Sequence, residues 1–379
     1  MKMDFSSRVP LGELNIIVFD NCMELGRKVD KQLIAARFKN DELLNVGKYS
    51  YILPINNTRF ANGEGRITLE NSVRGKDIYI LTDVGNYSCT YKLHGIETHM
   101  GPDEHFQDLK RVLCAIGGYA RRVSIIMPLL YAGRQHKRIK RESLDCAIAL
   151  QELERLGVKN IITFDAHDPR VENAVPLVGF TNRQPIYEML KTLLDVEGDL
   201  VIDRSKMMLI ATDPEAMDKA SCYGNLLNLD IGLYYKVRDY SKTVNGKNLI
   251  LKREYLGKDV SGKDILILDD MISSGDSILG IIDDLKKRNA GNIYVAVTYA
   301  LFTESVDRFN SYYKSGLFKK LLSTNLTYVP DSVKQSPWYA EVDMSECISA
   351  IINASNYEEA VSPMFDNATE KIKALLENR

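Results

Sequence analysis

Two adjacent carboxylates, Asp269 and Asp270, close the apolar run ILILDD and lead into MISSGDS, which ends at Ser277. A buried strand that delivers acids at its C-terminal end, just before a helix, is where open α/β sheets bind ligands. The backbone N–H groups of Ser273, Ser274, Gly275, Asp276 and Ser277, with the positive end of the following helix, would cradle a phosphate monoester. Gly275 permits close backbone approach, and Asp269 and Asp270 would reach ribose hydroxyls or a hydrated divalent cation. The bland alternative is an acidic strand-to-helix turn with a serine N-cap, and neither reading explains Asp276.

Other stretches carry chemistry-bearing residues. RQHKRIKR, from Arg134 and Gln135 to Arg141, holds five Lys or Arg in eight positions. A guanidinium suits polyphosphate, although such a run also serves as a hydrated loop. In TFDAHDP, Asp165 and His167 follow an apolar run; His167 alone reads as a general base or a hydrogen-bonded structural histidine. Spacing alone does not make it a ligand for Mg²⁺, which prefers oxygen. In RFANGEG, Phe60 with Asn62 and Glu64 could read a base by stacking and edge contacts, while Phe60 alone reads as a core aromatic. In GLYYKVRDY, alternation puts Lys236 and Arg238 on one face of an extended segment, aimed at one anion, or leaves a solvated strand end.

DDMISSGDS resembles the phosphoribosyl diphosphate motif shared by type I phosphoribosyltransferases and ribose-phosphate pyrophosphokinases. With the other stretches, in order over roughly residues 50–363, the chain is similar to the pyrophosphokinases. The resemblance implies that Phe60 stacks on adenine, that Asn62 and Glu64 bond its edge, and that Arg134 and Gln135 touch ATP. It makes His167 a Mg²⁺ ligand supported by Asp165, and Lys236 and Arg238, with Arg134, the groups that stabilise the transition state. Asp269, Asp270 and the Ser273 to Ser277 loop would hold ribose 5-phosphate, and Asp213 matches a metal-associated carboxylate.

The implied reaction moves the β,γ-diphosphoryl group of Mg·ATP to the C1 hydroxyl of ribose 5-phosphate, giving AMP and phosphoribosyl diphosphate. The implied assembly is a homo-oligomer built on a dimer, with a hexamer as the larger form and ATP at the domain and subunit junction. Departures are plain: His136 and Lys137 replace an acidic-basic pair, Pro214 to Met217 replace the glycines of a diphosphate loop, and the stretch 86–104, with His94, His99 and the nearby His105, is longer than usual. The altered glycine loop keeps open a non-catalytic regulatory homologue, and the shared motif keeps open a phosphoribosyltransferase.

The elements that must position these residues are legible as short apolar runs, at 78–81, 123–128, 160–164, 207–212, 264–270 and 293–300, alternating with amphipathic stretches. That rhythm predicts an α/β fold of mainly parallel sheets flanked by helices, and the resemblance implies two similar phosphoribosyltransferase-like domains of that kind. Helices are expected over Glu142 to Leu156, with Leu144, Ala147, Ile148, Leu150, Leu153 and Leu156 as its core face, and over Ser277 to Arg288. The expected domains are 1–182 plus 339–363, then 183–338, with a helical tail over 364–379.

Composition sets outer bounds. A hydrophobic content of 45% with 26% charged residues is that of a fully folding chain, and a formal net charge of -2 offers no field to gather nucleic acid or an anionic membrane. No apolar window approaches bilayer length, the first residues lack a signal-peptide core, and six scattered cysteines read as reduced, mostly buried thiols, so a cytoplasmic enzyme is expected.

Overall fold

Strands that are apolar at every position need cover on both faces, and the chain supplies it twice. The computed structural model describes residues 9–38, 50–244, 247–362 and 368–377, without the side chains of 38, 236–253 and 368. These fall into two units, one from 1–183, 325–328 and 343–367 and the other from 184–324, 329–342 and 368–379.

In the first unit, β1 (Leu14–Val18) is followed by a hairpin, β2 (Ile55–Arg59) and β3 (Gly65–Leu69), and then by β4 (Asp77–Leu81). A second hairpin, β5 (Thr90–Leu93) and β6 (Ile96–His99), precedes β7 (Arg122–Ile126), β8 (Asn160–Phe164) and β9 (Gly179–Arg183). The main sheet is parallel in the order β1-β4-β7-β8-β9, and β1 and β4 are buried at every position.

The second unit has a seven-stranded sheet in the order β12-β11-β10-β13-β14-β15-β16. Here β10 is Met207–Ala211, β11 Asp230–Val244, β12 Lys247–Leu256, β13 Asp264–Ile272, β14 Ile293–Ala300, β15 Lys320–Thr324 and β16 Tyr339–Val342. Only β11 and β12 pair antiparallel; the rest of the ladder is parallel. Trp338 is fully buried in this unit's core, stacked on Phe309 at 5.6 Å, its indole N–H donating to Asn310 Oδ1 at 2.8 Å.

Three expectations change. The segment 339–342 was expected with the N-terminal unit, but it pairs with β15 as an edge strand, so the lasting return to the first unit begins at Asp343, after a short visit at 325–328 that was expected in the second. The tail does not stand apart: helix Ala368–Glu377 belongs to the second unit and packs on helix Ile186–Val196, with Ile372 buried. The helix expected from Glu142 starts at Asp145, and its buried face is Cys146, Ala149, Leu150 and Leu153, which leaves Ile148 53% exposed. Apolar residues ring this helix widely, and only the stripe through Cys146, Ala149, Leu150 and Leu153, at i, i+3, i+4 and i+7, faces the core. A fourth expectation changes as well: the cysteines, expected mostly buried, are all free, and only Cys22, Cys146 and Cys347 of the six are buried. Among the described residues no helix is long and apolar enough to cross a membrane.

The first unit is tied shut by polar groups far apart in sequence. Buried Asp77 receives Arg122 Nε at 2.9 Å, Arg122 Nη2 at 2.7 Å and Asn356 Nδ2 at 2.8 Å, and Arg122 also donates to the Ser355 carbonyl at 2.7 Å. Asp83, just past β4, accepts from Gly85 N–H at 2.9 Å, Tyr328 N–H at 2.9 Å and Thr327 Oγ1 at 3.1 Å. Burial nevertheless pushes the Asp83 carboxyl up to about 7.

A carboxyl raised in the folded state binds more protons there than when unfolded, so its stabilising contribution is present at low pH and is lost as pH rises through 7. Asp83→Asn should therefore make the change in unfolding free energy between pH 5 and 7 less negative, by up to about 1.4 kcal/mol per pH unit. Urea titrations at the two pH values measure this, and equal slopes for variant and parent would refute it.

Candidate active site

In the second unit, β13 carries Asp269 and Asp270 to its C-terminal end, and the chain turns through Ser273 to Gly275 into helix Asp276–Lys287. Gly275 has φ 87°, a left-handed conformation that suits glycine, and a Cβ there would lie 2.6 Å from Phe309. Since Phe309 is locked on Trp338, it cannot yield cheaply. Gly275→Ala should cost about 2–3 kcal/mol of stability from strain and overpacking. Calorimetry would show the loss, and an unchanged melting temperature would mean the loop is not held as described.

Asp276 finds the role that its sequence did not show: it receives Arg308 and the Ser274 hydroxyl, the latter at 3.1 Å, and so shapes the loop. Ser273 Oγ lies 3.3 Å from Thr303 Oγ1. Asp269 Oδ1 accepts from Asp270 N–H at 2.9 Å. The Asp269 carboxyl is pushed well above the usual carboxylate range, by burial first and then by the charges of Asp270 and Asp213. The charges of Asp270 and Asp213 thus disfavour the ionised form of Asp269, and a cation bound nearby would offset them. Buried Lys219 donates from Nζ to the Asp269 carbonyl at 2.6 Å and to Thr298 Oγ1 at 3.3 Å.

Asp213 itself caps a short turn, Pro214–Ala216, whose Ala216 N–H is bonded to its carbonyl at 3.1 Å and to its side chain at 3.2 Å. Pro214 offers no N–H, so this turn presents little backbone donation to a diphosphate. Lys236 and Arg238 lie on β11, next to a register shift between Val237 and Arg238; their side chains fall outside the described residues.

In the first unit the loops after β7 and β8 meet. A turn closed by Gln135 N–H to the Ala132 carbonyl at 2.8 Å, with Ala132 at φ 53°, leaves Arg134 and Gln135 exposed. After β8, Asp165 takes φ 44°; its N–H bonds the Arg183 carbonyl at 2.8 Å, and Ala166 N–H bonds Asn182 Oδ1 at 3.0 Å. That kink brings the His167 ring edge-on to His136 at 5.3 Å.

His136 is fixed by the Gly133 carbonyl, 3.2 Å from Nδ1, and by Asp168 Oδ2, 3.4 Å from Nε2, and burial lowers its affinity for a proton. Asp168 is held down to about 2, chiefly by its hydrogen bonds from Arg170. Asp168 and Arg308 were both overlooked in the sequence. Asp168 stood in the quoted TFDAHDP stretch, whereas nothing in the sequence pointed to Arg308.

Phe60, Asn62 and Glu64 sit at the tip of the β2–β3 hairpin, where Phe60 is 46% exposed. Phe60 N–H bonds the Glu64 carbonyl at 2.8 Å, Gly63 N–H the Phe60 carbonyl at 2.9 Å, and Asn62 Oδ1 accepts from Glu64 N–H at 3.2 Å. The Arg66 guanidinium lies 5.7 Å from the Phe60 ring centre. His94, His99 and His105 go to separate places: a hairpin turn, the Tyr87 carbonyl, and a buried pair with Asn21 and Asn86. Among the described residues no three of His, Cys, Asp and Glu are set to chelate a metal unaided.

Residues 14–157 match the N-terminal domain of ribose phosphate pyrophosphokinase, and residues 215–321 match the phosphoribosyl transferase domain. A ribose-phosphate pyrophosphokinase of Corynebacterium efficiens is 26% identical over 259 residues, 67% of this chain and 71% of the relative. Ribose-phosphate pyrophosphokinase 1 of Candida albicans is 23% identical over 314 residues, 82% of this chain and 88% of the relative. The crystal structure of phosphoribosylpyrophosphate synthetase from Mycobacterium smegmatis shares the fold, with a TM-score of 0.71 at 18% identity, covering 90% of this chain and 98% of that one. Both halves of the chain thus point the same way, and it belongs to the ribose-phosphate pyrophosphokinase family.

Proposed function

We propose that the chain transfers the β,γ-diphosphoryl group of ATP to the C1 hydroxyl of ribose 5-phosphate. The observation that carries this reading is the second unit's pairing of a glycine-opened helix N-terminus with the Asp269–Asp270 carboxylates, beside family domains matched in both halves of the chain. The cradle from Ser273 to Ser277 holds the 5-phosphate, while Asp269 and Asp270 take the ribose hydroxyls. In the first unit, Phe60 stacks on adenine, Asn62 and Glu64 bond its edge, and Arg134 and Gln135 take the nucleotide's phosphates.

The C1 oxygen attacks the β-phosphorus, the bond from that phosphorus to the α-phosphate oxygen breaks, and AMP leaves. Such a transfer needs positioning and charge neutralisation more than covalent help. Lys236, Arg238 and Arg134 absorb the developing charge. In the first unit His167, supported by Asp165, would hold Mg²⁺, and in the second Asp213 is the metal-associated carboxylate; Mg²⁺ when bound neutralises polyphosphate charge. The assembly is a homo-oligomer built on a dimer.

The test is to incubate the purified chain with Mg·ATP and ribose 5-phosphate and to quantify AMP and phosphoribosyl diphosphate. Equal amounts of both products support the reading. The closed Asp213–Ala216 turn favours a second reading, a regulatory homologue, which ATP binding without turnover would select.

A further inference from the structure

The long stretch between β4 and helix Pro102–Ile116 folds as the β5–β6 hairpin, and that hairpin lies on the Phe60–Glu64 loop. His94 and Gly95 form its two-residue turn, with φ 49° and 82° as a type I′ turn requires, and Met100 N–H closes its base on the Cys89 carbonyl at 2.8 Å. The outer face is polar: Lys92 stands opposite Glu97, and Thr90 Oγ1 donates to Glu97 Oε1 at 2.9 Å.

The other face is half-covered, and what covers it is the neighbouring hairpin. Tyr91 lies under the Arg59 guanidinium, at 5.2 Å from the ring centre, and Arg59 immediately precedes Phe60. A Cβ on Gly63 would come within 2.9 Å of Leu93 Cδ1, so the two tips are in close contact. His94 N–H donates to the Ala61 carbonyl at 2.8 Å. Behind the loop, Arg59 is paired with Asp108 at 2.7 Å, so its base is fixed from one side and its tip from the other.

We infer that the Thr90–His99 hairpin braces the Phe60–Glu64 loop in its nucleotide-accepting shape, with Tyr91 and Leu93 as positioning residues for nucleotide recognition. This rests on the reading of that loop as the adenine site. Binding to a loop already ordered avoids the cost of immobilising Phe60, Asn62 and Glu64, and removing the brace returns that cost. Arg59 keeps its charge partner either way, so the effect falls on nucleotide affinity and leaves the ribose 5-phosphate site of the second unit untouched.

The experiment uses the full chain. Tyr91→Ala/Leu93→Ala is compared with parent, with Tyr91→Phe/Leu93→Met and with Lys92→Ala, by calorimetric titration with α,β-methylene-ATP and Mg²⁺ and by steady-state kinetics where there is turnover. The double alanine variant should bind the analogue about tenfold more weakly and raise the KM for ATP equally, with kcat and the KM for ribose 5-phosphate unchanged. The conservative double variant should restore the affinity, because it keeps a ring under Arg59 and an apolar chain at Gly63. Analogue binding within about twofold of parent, or an equal loss at both substrates, overturns the inference.

Should the double variant not fold, Leu93→Ala alone is judged by the same criteria. Phe60→Ala in the same titration separates the two readings. If it too leaves the affinity unchanged, the nucleotide binds elsewhere and the reading of the loop fails. If it weakens binding while the hairpin variants do not, only the brace fails.

Discussion

Lys236→Ala should lower the rate of phosphoribosyl diphosphate formation about 10²–10³-fold, the loss that follows removal of one preorganised charge partner from a transition state. The reaction moves a highly charged group between two oxygens, so a cation aimed at the transferring phosphates does more in the transition state than in the ground state. The variant should therefore bind α,β-methylene-ATP about as well as the parent and fail at kcat. Quench-flow formation of AMP, with analogue titration in parallel, separates the two effects. A variant that keeps kcat but loses analogue affinity would make Lys236 a ground-state binding residue, and one that changes neither would remove it from the site.

Asp77→Ala should destabilise the first unit by about 3–5 kcal/mol, because it strands a guanidinium that the fold has taken out of water. Arg122 is only 15% exposed at its side chain and Asp77 0%. Two of the Arg122 contacts and the Asn356 amide bond end on that carboxylate. Asn356 also donates to the Gly12 carbonyl at 3.1 Å, so the loss spreads to the entry of β1 and to helix Ser345–Asn356. Asp77→Asn, which keeps the shape and an acceptor, should cost less. Denaturant titration with a probe in the first unit reads the shift in midpoint, and an unmoved midpoint in the alanine variant would show that the network contributes little.

Both cases show what kind of information each level holds. The apolar runs announced most of the main-sheet strands, since parallel strands covered on both faces must be apolar throughout: VSIIMP became β7, NIITF β8 and IYVAVTYA β14. Helix Asp276–Lys287 lies one residue from its expected bounds, because its stripe Ile278, Ile281, Ile282 and Leu285 admits only one register. The helix at Asp145–Arg155 was set less well, because apolar residues ring it more widely and Ile148 faces outward. The return of the chain at Asp343 in place of Tyr339 was settled by an edge pairing, β15 with β16, that no local pattern encodes.

By itself, the sequence determined the family, the α/β class and the acidic strand end over a serine-glycine loop, and it singled out Phe60, Asn62 and Glu64, which the structure sets at a hairpin tip. Each rests on stretches whose own residues lie close together in the chain, where periodicity and turn chemistry act, and the family also on the order of those stretches. Only the tertiary structure decided which distant groups support them. Arg308 reaches Asp276 from 32 residues away, Asp77 is satisfied by Asn356 from 279, and Asp83 by Thr327 from 244. The β5–β6 hairpin, unassigned in the sequence, gained a neighbour in the same way. For the buried carboxylates the physical reason is that a polar group must find a partner once water is withdrawn; the exposed Arg308–Asp276 pair and the hairpin contact share only the second condition, that the fold brings remote segments side by side.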